Sequence, residues 1–344
     1  MGRRVLVVGG GGREHALVWR LAASPSVAAL ACAPGNPGTE ALAEPIPTPV
    51  GDLGGLVAAA ATWRADLVVV GPEAPLAAGL ADRLTAAGIA TAGPTAAAAR
   101  IESSKAWAKG LMAEAGVPTA RATVVTDLAL GLAALADYGL PVVVKADGLA
   151  AGKGVVVAAT HDEARGALTA FLEDGALGAA GQTVVVEEHL TGPEVSVLAL
   201  TDGEAVLPLP AARDHKRALD GDRGPNTGGM GALSPVPEVD AGLADSIAET
   251  VLVPTVRALA ARGTPLRGVL YAGLMLTAAG PKVLEFNARF GDPETQVVLP
   301  RLRPETDLGD LLAAVADGTL AAASPPAPPD GAAVGVVLAA GGYP

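Results

Sequence analysis

At 344 residues the chain has room for two or three domains with sizeable cores, and half of it is hydrophobic with only 3% aromatic, so Ala, Val and Leu must fill the interior. A formal net charge of −12 argues against a general nucleic-acid surface, and a single cysteine, Cys32, excludes an internal disulfide framework and fits a reducing cytoplasm. No stretch of about 18 residues is apolar and free of charges and of Pro and Gly clusters, so no membrane span is expected.

Residues 5–8 form a short apolar run, too short for a signal sequence and typical of a buried strand. Gly9-Gly-Gly-Gly12 then makes a tight turn, and residues 13–21 have a helical pattern, which opens a βαβ unit. A dinucleotide fingerprint fails here. Its third glycine would fall on Glu14 or His15, and the next strand, 27–33, ends without an acid for a ribose. The turn can still seat a phosphate at the helix N-terminus. Strands at 66–70 and 88–92 each run into Gly-Pro. Pro34-Gly-Asn36 and Gly71-Pro-Glu73 therefore lie at the ends of parallel strands, the ligand-binding edge of such sheets, although simple chain reversal would look the same. Residues 1–103 are expected to be an open α/β domain.

Residues 102–116 read as a short helical segment carrying Lys105 and Lys109, 119–125 as a strand and 129–138 as a helix. Two strands, 141–144 and 155–158, flank Lys145-Ala-Asp-Gly-Leu-Ala-Ala-Gly-Lys-Gly154. Its glycines allow close backbone approach and its lysines supply charge, a combination that suits a polyphosphate. A plain hairpin with solvated lysines is the alternative. It is not a Walker A loop, because Gly148 and Gly152 are too close and Lys153 is followed by Gly154 and a strand. A helix at 162–172 and a strand at 183–187 complete an expected lid domain, 118–190.

Residues 104–117 and 191–323 are expected to form a central domain, with strands at 194–200, 205–209, 268–277 and 282–286 and a helix at 245–261. Gly224-Pro-Asn-Thr-Gly-Gly-Met-Gly231 is expected to be a loop passing close to a ligand. In the last strand, alternation puts Glu285, Asn287 and Arg289 on one face and Phe286 and Ala288 on the other. A carboxylate and an amide oxygen two residues apart suit Mg²⁺ shared with phosphates, and Arg289 can hold an anion as a fork. A solvated strand edge is the alternative. A Pro-rich stretch, 324–331, precedes a new strand at 332–340, so 324–344 reads as a linker and the start of a truncated further domain.

Three stretches resemble the glycinamide ribonucleotide synthetase (phosphoribosylamine–glycine ligase) family: Gly9-Gly-Gly-Gly-Arg-Glu-His15, the 145–154 hairpin and Arg289-Phe-Gly-Asp-Pro-Glu-Thr-Gln296. Ala33-Pro-Gly-Asn36, Val70-Gly-Pro-Glu73, Asp214-His-Lys-Arg217 and Pro225-Asn-Thr-Gly-Gly-Met-Gly231 add to it, so the resemblance runs along essentially the whole chain. It implies the ATP-grasp fold: an N-terminal α/β domain, a mobile lid and a central metal-bearing domain. It also implies ATP-dependent joining of glycine to 5-phosphoribosylamine through a glycyl phosphate, in purine synthesis. On that resemblance Lys105 and Lys145 contact ATP phosphates, and the hairpin with Gly152, Lys153 and Gly154 closes over them. Glu187, Glu188 and Leu190 form the adenine-side hinge, and Glu194 holds the ribose. Glu285 and Asn287 ligate Mg²⁺ or Mn²⁺. Arg289, Asp214 and Lys216 serve glycine and the reacting phosphate, and Gly11, Gly12, Asn36 and Glu73 serve phosphoribosylamine. The expected partners are these small molecules, with no nucleic acid and no membrane, for a cytoplasmic monomer. Two other readings are another ATP-grasp carboxylate–amine ligase and a nucleotide-binding fragment left inactive by its short C-terminus.

Overall fold

The structure, a computed structural model, describes residues 2–150, 154–221, 223–324, 326 and 331–343. Strands β1 (Arg3–Gly9), β2 (Val27–Pro34), β3 (Glu44–Pro45), β4 (Leu67–Val70) and β5 (Ala90–Ala92) form a parallel sheet in the order β3-β2-β1-β4-β5. The valine-rich strands are buried on both faces, as parallel sheets require. Leu6, Val8, Val68 and Val70 share one core with Leu56, Leu80 and Ile101. Val5, Val7, Leu67 and Val69 share the other with Leu17, Leu21, Leu311 and Leu312. Leu311 and Leu312 belong to the helix Leu308–Asp317, which returns from late in the chain to cover this sheet.

The lid is an antiparallel sheet of β6 (Ala122–Val125), β7 (Val142–Ala146), β8 (Val155–Ala158) and β9 (Val184–Glu188), ordered β6-β9-β7-β8. Leu168 and Phe171 of the helix His161–Leu172 pack with Val144, Val184 and Val186. The central sheet follows the order β11-β10-β16-β17, from β10 (Glu194–Asp202), β11 (Val206–Pro208), β16 (Arg267–Thr277) and β17 (Gly280–Asn287). Between β11 and β16 come β12 (Arg213–Asp214), the hairpin β13 (Arg217–Leu219) and β14 (Arg223–Asn226), and β15 (Gly231–Ser234). A last strand, β18 (Ala333–Val336), pairs with β15. Among the described residues no helix is long and apolar enough to cross a membrane.

Four local differences from the sequence reading have physical causes. The helical segment at 102–116 is two helices, Ala96–Ser103 and Lys105–Ala115, broken at Ser104. Ser104 is extended, and its hydroxyl accepts from the Trp107 N–H as an N-cap. The strand read at 119–125 begins only at Ala122, with Thr119 bridging to Val283 in isolation. The helix read at 245–261 starts earlier, at Ala241, because Asp240 caps it, and Ala248–Leu252 form a π turn ahead of Pro254. Part of the glycine-rich loop at 224–231 is strand, since Arg223–Asn226 pairs with β13 and Gly231 opens β15.

Candidate active site

At the C-terminal edge of the parallel sheet, the turn after β1 wraps around one buried carboxylate. Glu14 accepts from the Gly11 N–H at 2.7 Å and from Arg13 Nε at 2.5 Å. That places the carboxylate in the first turn of the helix Gly12–Ala22, where the dipole favours it. Only glycine fits around it. Gly9 has φ +130, and a Cβ on Gly71 would lie 2.0 Å from Glu14 Oε1.

The expected substrate residues Gly11, Gly12, Asn36 and Glu73 come together here with the loop after β17. A Cβ on Gly12 would lie 2.9 Å from Gln296 Nε2, and one on Gly11 would lie 3.5 Å from Asp292 Oδ2. Asn36 is largely engaged by the backbone. Its Nδ2 donates to Gly10 O at 3.0 Å, and its Oδ1 accepts from the N–H groups of Gly38 and Thr39. Glu73 Oε2 lies 3.4 Å from Arg289 Nε and 4.0 Å from Arg13 Nη1.

Arg289 is the junction. Its Nε is also 3.3 Å from Glu102 Oε1, Nη2 donates to Asn287 Oδ1 at 3.3 Å, and Nη1 donates to Phe290 O at 3.1 Å. Burial pushes the Glu102 carboxyl up, against the pull of Arg289. The expected alternation shows in burial, although β17 itself ends at Asn287: Phe286 and Ala288 are buried, Glu285, Asn287 and Arg289 are half-buried, and Arg289 beyond the strand turns back to Asn287.

Lysines from three separate parts of the chain act on Glu285 through their charges. Burial alone would raise its carboxyl, but Lys216, Lys145, Lys105 and Arg289 together hold it below the usual range. Lys216 Nζ donates to Glu194 Oε2 at 2.9 Å and lies 3.6 Å from Asp214 Oδ2. Burial works against the Lys216 ammonium, yet Asp214, Glu194 and Glu285 hold its pKa above the ordinary lysine value. Burial raises the Asp214 carboxyl, with Lys216 opposing.

On the lid side, Asp147 ties the 145–154 hairpin to the helix that begins at Lys105. Its Oδ1 accepts from the Ala106 N–H at 2.6 Å, and both of its carboxylate oxygens accept from Ser104 Oγ. Lys145 Nζ meets Glu187 Oε2 at 2.8 Å and donates to Leu284 O at 3.1 Å. The side chain of Glu187 is thus held by lysines. Glu188 turns the other way, accepting from Lys282 Nζ at 3.0 Å and from the Arg121 N–H at 3.0 Å. Leu190 packs with Ala120, Met275 and Leu284 as a small apolar wall. Gly154 closes the hairpin, its carbonyl accepting from the Ala146 N–H at 2.8 Å. Gly152 and Lys153 lie outside the described residues.

Sequence reasoning did not single out Glu102, Arg13 or the buried trio Ser196, Tyr271 and Glu294 as site residues. Glu294 Oε1 accepts from the Tyr271 hydroxyl at 2.7 Å and from Ser196 Oγ at 3.3 Å. Arg13 and Glu294 stand inside motifs that did carry a signal, and Glu102 stands three residues before Lys105. Ser196 and Tyr271 carried none.

A carboxylate and a carboxamide oxygen on one strand face, ringed by ammonium groups and an arginine, suit a polyphosphate with a divalent cation. Among the described residues no cluster of three or more His, Cys, Asp or Glu forms a cage for a metal by itself. Glu285 and Asn287 offer two oxygens that could hold such an ion, with a phosphate and water completing its ligands.

The sequence profile of the phosphoribosylglycinamide synthetase N domain matches residues 3–102, and that of its ATP-grasp (A) domain matches residues 103–295. The chain is similar to a phosphoribosylamine–glycine ligase of Streptomyces coelicolor, with 55% identity over 341 residues that span 99% of this chain and 79% of that protein. Among solved structures it is similar to phosphoribosylamine–glycine ligase from Thermotoga maritima, at 35% identity and a TM-score of 0.85, over 99% of this chain and 81% of that one. The biotin carboxylase domain of Hydrogenobacter thermophilus 2-oxoglutarate carboxylase, solved with MgADP and bicarbonate, has the same fold at 16% identity and a TM-score of 0.72, over 97% of this chain and 74% of that one.

Proposed function

The chain belongs to the phosphoribosylglycinamide synthetase family, and we propose on that premise how its residues divide the work of the ligation. It is an ATP-dependent ligase that converts ATP, glycine and 5-phosphoribosylamine into ADP, phosphate and glycinamide ribonucleotide, a step of purine biosynthesis. A carboxylate is a poor electrophile. Transfer of the γ-phosphoryl group to glycine gives an acyl phosphate, and the amine of phosphoribosylamine then attacks its carbonyl carbon and expels phosphate. No enzyme nucleophile is needed, so the protein's task is positioning and charge neutralisation.

In this reading Lys105 and Lys145 bind the ATP phosphates, and the 145–154 hairpin covers them. The backbone of 187–190 receives the adenine against Leu190, with Glu194 on the ribose. Glu285 and Asn287 hold Mg²⁺ or Mn²⁺, which when bound neutralises phosphate charge. Arg289, Asp214 and Lys216 orient glycine and the transferred phosphoryl group. The turn at Gly11 and Gly12, with Asn36 and Glu73, receives phosphoribosylamine. Residues 1–103 act as one unit, 118–190 as the lid, and 104–117 with 191–323 as the body. Action as a cytoplasmic monomer is part of the same proposal.

The observation that carries the reading is the face shared by Glu285, Asn287 and Arg289, with Arg289 Nη2 on Asn287 Oδ1 at 3.3 Å and the charges of Lys216, Lys145 and Lys105 lowering the Glu285 pKa. ADP release with Mg²⁺-ATP, with and without each substrate, tests it. Release is expected to need both glycine and phosphoribosylamine, and Glu285→Ala is expected to lower it by roughly 10²–10³, the scale set by losing an electrostatic catalytic group. Unchanged release and unchanged metal dependence in Glu285→Ala would remove the metal assignment.

A further inference from the structure

The helix Lys105–Ala115 carries a second lysine one turn inside Lys105, and the ligation described above gives it no substrate to touch. The Lys109 side chain is 10% exposed, and its Nζ lies 3.0 Å from Glu187 Oε1. The same Nζ donates to Thr119 Oγ1 at 2.8 Å and to Ala120 O at 3.0 Å. Two of its three N–H groups are thus committed to Thr119 and Ala120, and its charge is paired with Glu187 Oε1, which accepts no hydrogen bond among the described residues and has this ion pair instead, so Lys109 is spent on protein partners.

Lys145 differs by one acceptor. Its Nζ meets Glu187 Oε2 and Leu284 O, and its third N–H has no protein acceptor among the described residues. Glu187 is buried between the two lysines, one carboxylate oxygen on each. Without Lys109 its Oε1 would be a buried charge with no partner, which is costly enough to move the carboxylate.

The acceptors of Lys109 also lie on both connections between lid and body. Thr119 and Ala120 are on the segment entering the lid, and Thr119 is fixed to β17 by its hydroxyl, which donates to Val283 O at 2.7 Å. Glu187 is on β9, along which the chain leaves the lid. One ammonium thus closes a ring through the helix, the way in and the way out.

We propose that Lys109 is a positioning residue. It ties Glu187 on the outgoing connection to Thr119 and Ala120 on the incoming one, and through Glu187 it aims the spare N–H of Lys145 at the nucleotide phosphates. This rests on the assignment of Lys145 to ATP above. A purely structural tie makes a different prediction: its loss would weaken the protein by the same amount whether or not Lys145 is present.

The test is a double-mutant cycle on the full chain, read by calorimetric titration with MgATP and by KM for ATP. Lys109→Met is expected to weaken MgATP binding about tenfold, close to 1.4 kcal/mol. KM for ATP should rise with it, and by more than KM for glycine. In a Lys145→Met background the same substitution should change ATP affinity by less than about twofold, because the group it acts through is gone. An equal loss in both backgrounds, or no loss in Lys109→Met, overturns the inference and leaves the nucleotide assignment standing. If Lys145→Met alone binds MgATP normally, both fall together. Should Lys109→Met fail to fold, Lys109→Gln, which keeps two donors, carries the same cycle.

Discussion

Around the turns of the parallel sheet, the groups that shape the site are backbone and glycine. At the lid and β17 they are charged side chains. On its inner side the turn after β1 is filled by Glu14, which touches the Gly11 N–H and leaves no space for a side chain at Gly9 or Gly71. Across the site, Lys105, Lys145 and Glu285 come from three elements and Lys216 from the link between β12 and β13, and they act on one another through their charges. The first region is defined by close contact and cannot absorb an added atom. The second is defined by charge balance and can absorb a change of shape better than a change of charge.

The sharpest way to break that contrast is one methyl group. In Gly71→Ala the new Cβ would lie 2.0 Å from Glu14 Oε1, and Glu14 cannot swing away while Arg13 and the Gly11 N–H hold it. The expected loss is about 1–3 kcal/mol of stability, the usual cost of overpacking, with a rise in KM for phosphoribosylamine. Chemical denaturation and steady-state kinetics would measure both. A variant as stable as the natural chain, with unchanged KM, would mean that this region tolerates volume after all.

These two regions were not equally legible in the sequence. The valine runs of β1, β4 and β7 announced buried strands, and the alternation over Glu285, Asn287 and Arg289 is what the structure shows. The Gly9–Gly12 turn was visible as a turn, but the buried carboxylate it encloses was not, because close packing leaves no periodic signal. The charge network was harder still. Glu187 reaches Lys109 and Lys145 from distant positions in the chain, and its pairing follows from sheet order β6-β9-β7-β8, which no local pattern encodes. The break at Ser104 escaped for a different reason. Ser-Ser-Lys is compatible with a continuous helix, and only the Asp147 carboxylate across the gap favours the cap.

A second probe sharpens the charged side of the comparison. Burial raises the Glu294 carboxyl, with the Asp214 charge adding to the rise and the Tyr271 hydroxyl opposing it. The folded chain therefore keeps a proton that the unfolded chain gives up above about pH 4.3. Between that value and the raised folded pKa the folded state binds more protons, so this contribution is fully present at low pH and is lost as pH rises through the window. Glu294→Gln keeps an oxygen for Tyr271 and removes the titration. Urea denaturation at a series of pH values should show that decline in the natural chain and a flatter profile in the variant. Parallel profiles would show that Glu294 is not the group responsible.

The smallest effect is expected on the outer face of β9, beside the buried Glu187. Glu187 and Glu188 are neighbours, but strand alternation sends them to opposite sides. Glu187 is buried between two lysines, whereas Glu188 meets Lys282 with 35% and 29% of the two side chains exposed. Water and salt screen the second pair, and the Arg121 N–H, the largest cause of the lowered Glu188 pKa, remains when the lysine is removed. Lys282→Ala should therefore cost no more than about 1 kcal/mol, and less at high salt. Denaturation midpoints at low and high ionic strength would read it. A loss well above about 1 kcal/mol, and insensitive to salt, would mean that exposure does not weaken this ion pair. The lid would then be anchored on both faces of β9.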